Sequence, residues 1–233
     1  MRKEESYSSS FYTSIHESSL RAASVLLDIF FQSVPLSFSS VLDLGCGDGS
    51  WLRLCAEKGL RICGVDGPWV NKSLLQIPET SFHAYDLEKD LVNRESALWD
   101  LPHHDLLISL EVAEHLEKRV ADAFVTLMCQ SSDIALFSAA IPFQPGNRHV
   151  NCQWPSYWAE KLRAHRFVMA DIIRPKIWGE PSLPWWYKQN IFVVLKGKYL
   201  QQLGIHKKDL VTDRSHDVVH PDLYLKAMRN WAH

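Results

Sequence analysis

Residues 41–50 read Val-Leu-Asp-Leu-Gly-Cys-Gly-Asp-Gly-Ser, an apolar run that passes directly into three glycines. The first half suits a buried strand. The second suits a turn, because glycine reaches positive φ and lets a ligand or another stretch of backbone come close. The next ten residues, Ser-Trp-Leu-Arg-Leu-Cys-Ala-Glu-Lys-Gly at 50–59, read as a helix that opens on the turn and closes on Gly59. A strand, a glycine turn and a helix N-terminus in succession form a ligand seat. The same unit restricts the fold to sheets whose parallel strands are joined by helices.

The rest of the chain keeps that rhythm. Short apolar runs at 60–67, 81–88, 104–111, 133–142, 167–175 and 190–197 read as further strands, and 17–32, 113–130 and 154–166 as helices. Ser18 or Ser19 is a candidate cap for the first helix. The expected fold class is α/β, a Rossmann-like doubly wound sheet. The expected organisation is an N-terminal lid and helix at 1–35, a ligand-binding domain at 36–197 and a C-terminal tail at 198–233. The tail shows little periodicity before a short helix at 221–232 and is expected to be dispensable.

A length of 233 residues with 46% hydrophobic and 22% charged residues suits one globular domain. The formal charge of -2 argues against nucleic acid as a partner, since phosphate-backbone binding needs a basic excess. The five cysteines are odd in number and include no CxxC pair, which argues against a disulfide framework and a cysteine zinc site. Cys46, Cys55 and Cys63 sit among apolar residues and read as buried thiols. No secretory signal and no membrane span are read from the sequence, so the expected location is cytoplasmic, with no membrane partner. Oligomeric state is not encoded in any pattern visible here.

Asp66 ends the second strand 21 residues after Gly45, where an acidic side chain can accept ribose hydroxyls. A dinucleotide site wants GxGxxG, but position 50 is Ser and Asp43 precedes the turn. A carboxylate there repels a pyrophosphate and suits an amino group or a sulfonium cation.

With these residues in view, the sequence resembles the class I S-adenosylmethionine-dependent methyltransferases. Val41 to Leu52 is similar to their first motif, Gly64-Val65-Asp66-Gly67 to the acidic loop that holds the ribose, His83 to Glu88 to the third motif, and His104 to Leu116 to the fourth. The resemblance covers about residues 36–197. It implies seven strands, mostly parallel with the last antiparallel, and S-adenosyl-L-methionine as cofactor. Asp43, Gly45 and Gly47 would shape the methionine end, Asp66 and Gly67 the ribose end, and Asp86 and Leu87 the adenine end.

The fourth strand bears on the acceptor. In family members that methylate planar amides and base amines it ends in Asn or Asp, two prolines and an aromatic. Here it ends Ser109-Leu110-Glu111-Val112, which points to a hydroxyl of a small molecule, a sugar or secondary metabolite. Glu111, Glu114 and His115 form ExxEH and share one face if residue 111 starts a helix. Two carboxylates and an imidazole suit a divalent ion such as Mg²⁺ or Mn²⁺. The spacing is similar to that of the ubiquinone-biosynthesis O-methyltransferases and of the small-RNA 2′-O-methyltransferases, which add a later His. His149 is the candidate, as fourth ligand or as general base, and Glu111 and His149 are the candidate catalytic pair. Many family members carry EHL or EHV here without metal, and there Glu111 faces the cofactor pocket.

Trp154, Trp158, Trp178, Trp185 and Trp186 crowd the second half. Pro181 to Gln189 reads as a loop whose aromatics either wall the acceptor or cover the sheet edge. Lys161, Arg163, Arg166, Arg174 and Lys176 read as a solvated basic face or a phosphate contact. Tyr7, Phe11 and Tyr12 are candidates to close over the cofactor, and His83, His103 and His104 read as ordinary loop or surface residues. The alternatives to small-molecule O-methylation are a metal-dependent RNA 2′-O-methyltransferase, a nicotinamide dehydrogenase and a non-catalytic protein of the same fold.

Overall fold

The run Ser40–Leu44 is buried at every position, which only a strand covered on both faces requires. In the computed structural model, which describes residues 9–231 and the side chains of 20–229, this run is β1. It sits at the centre of a seven-stranded sheet of order β3-β2-β1-β4-β5-β7-β6. The other strands are β2 (Arg61–Asp66), β3 (Phe82–Ala84), β4 (Leu106–Leu110), β5 (Ile134–Ser138), β6 (Phe167–Ala170) and β7 (Phe192–Lys196). β1 to β5 run parallel, while β7 pairs antiparallel with both β5 and β6. The expected sheet is therefore present. The topology reverses at β1, between β2 and β4, and ligand crevices open at such a point beyond the strands' C-terminal ends.

Helices cover both faces. On one side α1 (Ser9–Ser33) and α2 (Ser50–Glu57) close a core that includes Leu26, Phe30, Leu52 and Leu136. On the other, α4 (Ala121–Ser131) and α5 (Pro155–Ala164) close one around Phe124, Phe137 and Trp158. Burying each such side chain contributes roughly 1.5–3 kcal/mol. Short helices α3 (Leu87–Asp90), α6 (Arg174–Ile177) and α7 (Trp185–Asn190) sit between strands, and α8 (Pro221–Trp231) ends the described chain. No helix among the described residues is long and apolar enough to cross a membrane.

Several elements differ from expectation. The described first helix already includes Ser9, so Ser18 and Ser19 lie inside it and not at its start. Tyr7, Phe11 and Tyr12 lie outside the described side chains. The stretch expected as one helix over 113–130 is broken: 3-10 turns at Ala113–His115 and Lys118–Val120 precede α4. β3 stops at Ala84 and β6 at Ala170, well short of the apolar runs that suggested them. The 181–189 loop contains α7. His104 is buried, not a surface residue.

The basic stretch is not a single face either. Arg174 is buried, donates to both Asp171 carboxylate oxygens and lies 4.2 Å over the Phe192 ring. Lys161 reaches Asp122 at 2.5 Å.

The C-terminal tail is tied to the domain. Leu210 bridges Ala170 at the sheet edge, and Val211 N–H donates to the Met169 carbonyl at 2.9 Å. The Asp217 carboxylate receives Ser156 N–H at 3.0 Å and Ser156 Oγ–H at 2.7 Å. The five cysteines are all free, and Cys46, Cys55, Cys63 and Cys129 are buried.

Candidate functional site

The glycine turn carries β1 into α2. Gly45 and Cys46 N–H both donate to the Val65 carbonyl, at 2.7 and 3.1 Å, and so extend the β1–β2 pairing into the turn. Gly45 has φ 88, and a Cβ there would lie 2.3 Å from Val112, so the position requires glycine twice over. Gly47 has φ 56 and open space where its side chain would be. Its N–H donates to Asp66 Oδ2 at 2.7 Å, and Gly67 N–H donates to Oδ1 at 2.6 Å. The β1 turn and the end of β2 thus aim one carboxylate at one spot.

A cavity of about 620 Å³ opens over this turn, at the reversal point of the sheet. Asp43, Gly45, Gly47, Asp66, Gly67, Asp86 and Leu87 all line it, as do Glu111, Glu114, His115 and His149. Every sequence-derived site residue therefore reaches the same space. Asp86 is also the N-cap of α3, accepting from Glu88 N–H at 3.2 Å and pairing with exposed Lys89 at 3.0 Å. Asp43 is buried, and burial, then the charges of Asp66 and Asp48, push its carboxyl well above the usual range. Seven carboxylates line the cavity, against two cationic side chains, Arg148 and Lys226. That field favours a cation and opposes a phosphate.

Glu111, Glu114 and His115 do not share a helix face. Glu111 has φ 56, in the left-handed region, and this reversal separates it from the 3-10 turn at Ala113–His115. Its carboxylate accepts from Asn190 Nδ2 at 3.0 and 3.2 Å and from Gln144 Nε2 at 2.9 Å. Burial raises its pKa, and the bonds from Asn190, Ser138 and Gln144 oppose that. Sequence reasoning missed Gln144 and Asn190. Their signal was weak but present: an amide two residues before a buried strand, as Asn190 is before β7, needs a partner once buried.

Glu114 is fully buried, and neither carboxylate oxygen has a hydrogen-bond partner. Burial, then the neighbouring Glu111 charge, push its carboxyl pKa well above the usual range. Its backbone carbonyl accepts N–H from Val150 at 2.9 Å and Asn151 at 3.0 Å, which seats the loop after β5 beside it. That loop delivers His149, whose Nε2 lies 4.0 Å from Glu114 Oε1. His149 Nδ1 is 3.1 Å from the Gln144 carbonyl, which can only accept, so the proton is on Nδ1 and Nε2 keeps its lone pair. The His115 ring meets that of His149 edge-on at 4.9 Å, and its Nδ1 is also without a partner. Burial, then the His149 ring, lower His115 to about 4, so it is neutral at pH 7.

One ligand atom each from Glu114, His115 and His149 lies within 4.8 Å of the others. Two neutral imidazoles and a carboxylate with unpaired atoms fit a divalent ion. Glu111 stands outside this set, occupied by its amide partners.

The far wall is aromatic. Trp51 of α2 meets Tyr187 of α7 edge-on at 5.7 Å, and Trp185 meets Trp186 at 5.5 Å. All four line the cavity.

Comparison with known proteins agrees with this geometry. A search of curated proteins gave no match. Among solved structures, the magnesium protoporphyrin IX methyltransferase from Synechocystis PCC 6803 with bound S-adenosylmethionine is similar, with a TM-score of 0.54 at 18% identity, over 78% of this chain and 81% of that one. An O-methyltransferase family protein from Burkholderia thailandensis has a TM-score of 0.52 at 12% identity, over 80% and 60%. An S-adenosylmethionine-dependent methyltransferase from Clostridium acetobutylicum ATCC 824 has a TM-score of 0.51 at 10% identity, over 76% and 92%. At these identities the likeness is one of fold. The model of the methyltransferase domain family matches residues 16–133, half of the chain and the part that holds the glycine turn, Asp66 and ExxEH. The chain therefore belongs to the methyltransferase domain family and is an enzyme of that kind, on a fold it shares with solved S-adenosylmethionine-dependent methyltransferases.

Proposed function

We propose that this protein transfers a methyl group from S-adenosylmethionine to a hydroxyl of a small molecule, a sugar or secondary metabolite. The observation that carries this reading is the cluster Glu114, His115 and His149, facing the same cavity as the acidic turn. The acidic turn supports the cofactor assignment. Buried Asp43, crowded by Asp66 and Asp48, gains most from a ligand that brings positive charge. Asp66, held by two backbone N–H groups, is aimed for ribose hydroxyls. Leu87 and Asp86, which line the same cavity, would meet an adenine ring and its amino group.

When bound, S-adenosylmethionine supplies an electrophilic methyl on a sulfonium. The acceptor oxygen forms the new C–O bond as the C–S bond breaks and its electron pair returns to sulfur. Where no ion is bound, His149 Nε2, with its lone pair free, takes the acceptor's proton; where Nε2 ligates an ion that lone pair is used, and the acidified hydroxyl releases its proton to water. Glu114, His115 and His149 would hold a divalent ion such as Mg²⁺ or Mn²⁺, which stabilises negative charge on a ligating oxygen. Glu111 is the fixed anion at the end of β4. The aromatic wall of Trp185, Trp186 and Tyr187 fits the face of a sugar or planar ring.

A small-molecule acceptor is favoured over RNA by the acidic lining of the cavity and the net charge of -2. Transfer of labelled methyl from S-adenosylmethionine to a panel of sugars, phenols and RNA oligonucleotides, with and without chelator, tests the reading. Label in a hydroxyl of the first two supports it, and label only in RNA overturns it.

A further inference from the structure

The residues that hold Glu111 form a chain with a direction. The backbone N–H of His220 can only donate, and it donates to Gln189 Oε1 at 2.8 Å. With its oxygen engaged, Gln189 turns its NH₂ to Asn190 Oδ1 at 3.0 Å and Gln144 Oε1 at 3.4 Å. Asn190 in turn gives its NH₂ to Gln144 Oε1 at 2.9 Å and to both Glu111 oxygens. Gln144, its oxygen now doubly used, donates its NH₂ to Glu111 Oε2 at 2.9 Å.

A side-chain amide has one accepting end and one donating end, whereas a carboxylate only accepts. One backbone N–H at the head of the chain therefore fixes the orientation of three amides and ends on the one group that needs only donors. Reversing any amide would set like ends face to face. All three amides are buried, so no solvent would repair such a mismatch.

Glu111 needs this support. Its φ of 56 is a strained backbone that persists only where its surroundings over-determine it. Its N–H is held by the Ser138 carbonyl and Oγ, both at 3.0 Å, and the amide chain holds the other end.

We propose that Gln189, Asn190 and Gln144 are positioning residues that act through Glu111, fixing its carboxylate on the cavity wall by a one-way amide chain anchored on the C-terminal segment at His220. The proposal rests on the reading of this cavity as the cofactor and acceptor site, and it makes the C-terminal segment part of that site. Gln144 joins the two halves, because its backbone carbonyl also orients His149.

Amide hydrogen exchange of the ligand-free protein, read residue by residue by NMR, tests the chain. Gln189→Glu keeps the acceptor for His220 but removes the donor to Asn190, at almost unchanged volume. Asn190→Ala breaks the next link and serves if the first variant misfolds. In each, the Glu111 amide should exchange about tenfold faster or more, while central β1 amides keep their protection. Unchanged exchange at Glu111, or an equal loss in β1, would overturn the proposal. Affinity for S-adenosylhomocysteine should fall about tenfold in both variants, and unchanged affinity would overturn the claim that the chain serves the site. A wild-type protein that binds no S-adenosylhomocysteine fails the cofactor reading, and the exchange data alone then decide the chain.

Discussion

The imidazole of His149 donates from Nδ1 to the backbone carbonyl of Gln144 across 3.1 Å, and this one bond decides what the other nitrogen can do. Nε2 is left with its lone pair, 4.0 Å from a Glu114 oxygen that has no hydrogen-bond partner. The loop after β5 thus supplies a base or ligand in the correct tautomer, next to a buried carboxylate that lacks a partner.

Gly146 makes room for that ring. A Cβ at this position would lie 2.0 Å from His149 Nε2, nearer than any real contact. Gly146→Val should expel His149 and abolish Mn²⁺ binding measured by calorimetry, while leaving the glycine turn and S-adenosylhomocysteine affinity intact. Unaltered Mn²⁺ binding would remove His149 from the ligand set.

Glu114 trades stability for function. A buried carboxylate with no partner costs its desolvation penalty. Glu114→Gln removes the ionisable group at nearly constant shape, so the Tm of the variant relative to the wild type should rise as pH is raised from about 4 to 8. A relative Tm that does not rise would mean that Glu114 is satisfied in the native state.

Asp133 sets a small acid-limb effect at the opposite end of the sheet. Burial alone would raise its carboxyl, but hydrogen bonds from Lys196 at 2.5 Å and Lys198 at 2.6 Å outweigh that and bring it down to about 2. A folded value below the unfolded value of about 3.9 means the native state binds fewer protons. The stabilisation is complete above pH 4 and is lost as pH falls toward 2. Both lysines are well exposed, so solvent screening limits the gain to under about 1 kcal/mol. Asp133→Asn should flatten the pH dependence of Tm in that window and lower Tm slightly at pH 7.

The C-terminal segment is expected to be needed for stability. Ending the chain before residue 209 removes the Ala170–Leu210 bridge, the Ser156–Asp217 bonds and the His220 N–H on Gln189. The truncated protein should lose a cooperative melting transition or melt far lower. A transition matching the full chain would restore the tail to the dispensable role that its sequence suggests.

Much of this was legible in the sequence because it is local. The strand Ser40–Leu44, the glycines and Asp66 are read within 30 residues, where periodicity and φ > 0 requirements speak directly. His149 was named through the family resemblance, as the later His that follows the fifth strand. The ExxEH spacing named residues that line one cavity, but with the wrong geometry. It assumed helical φ at 111, whereas the β4 end reverses there to bond Ser138. Gln144, Gln189 and Asn190 escaped because their meaning lies in partners 31 to 79 positions away. The tail's contacts escaped for the same reason: its backbone bonds and the buried Ile205, Val211 and Leu223 are too widely spaced to leave a hydrophobic period.

The most direct test of the central claim is calorimetric titration of the ligand-free protein with S-adenosylhomocysteine, alongside Asp66→Ala and a dinucleotide control. The account predicts micromolar binding by the wild type, at least tenfold weaker binding by Asp66→Ala through loss of charge-assisted ribose bonds, and none of the dinucleotide. Equal affinity in Asp66→Ala, or preference for the dinucleotide, would contradict it.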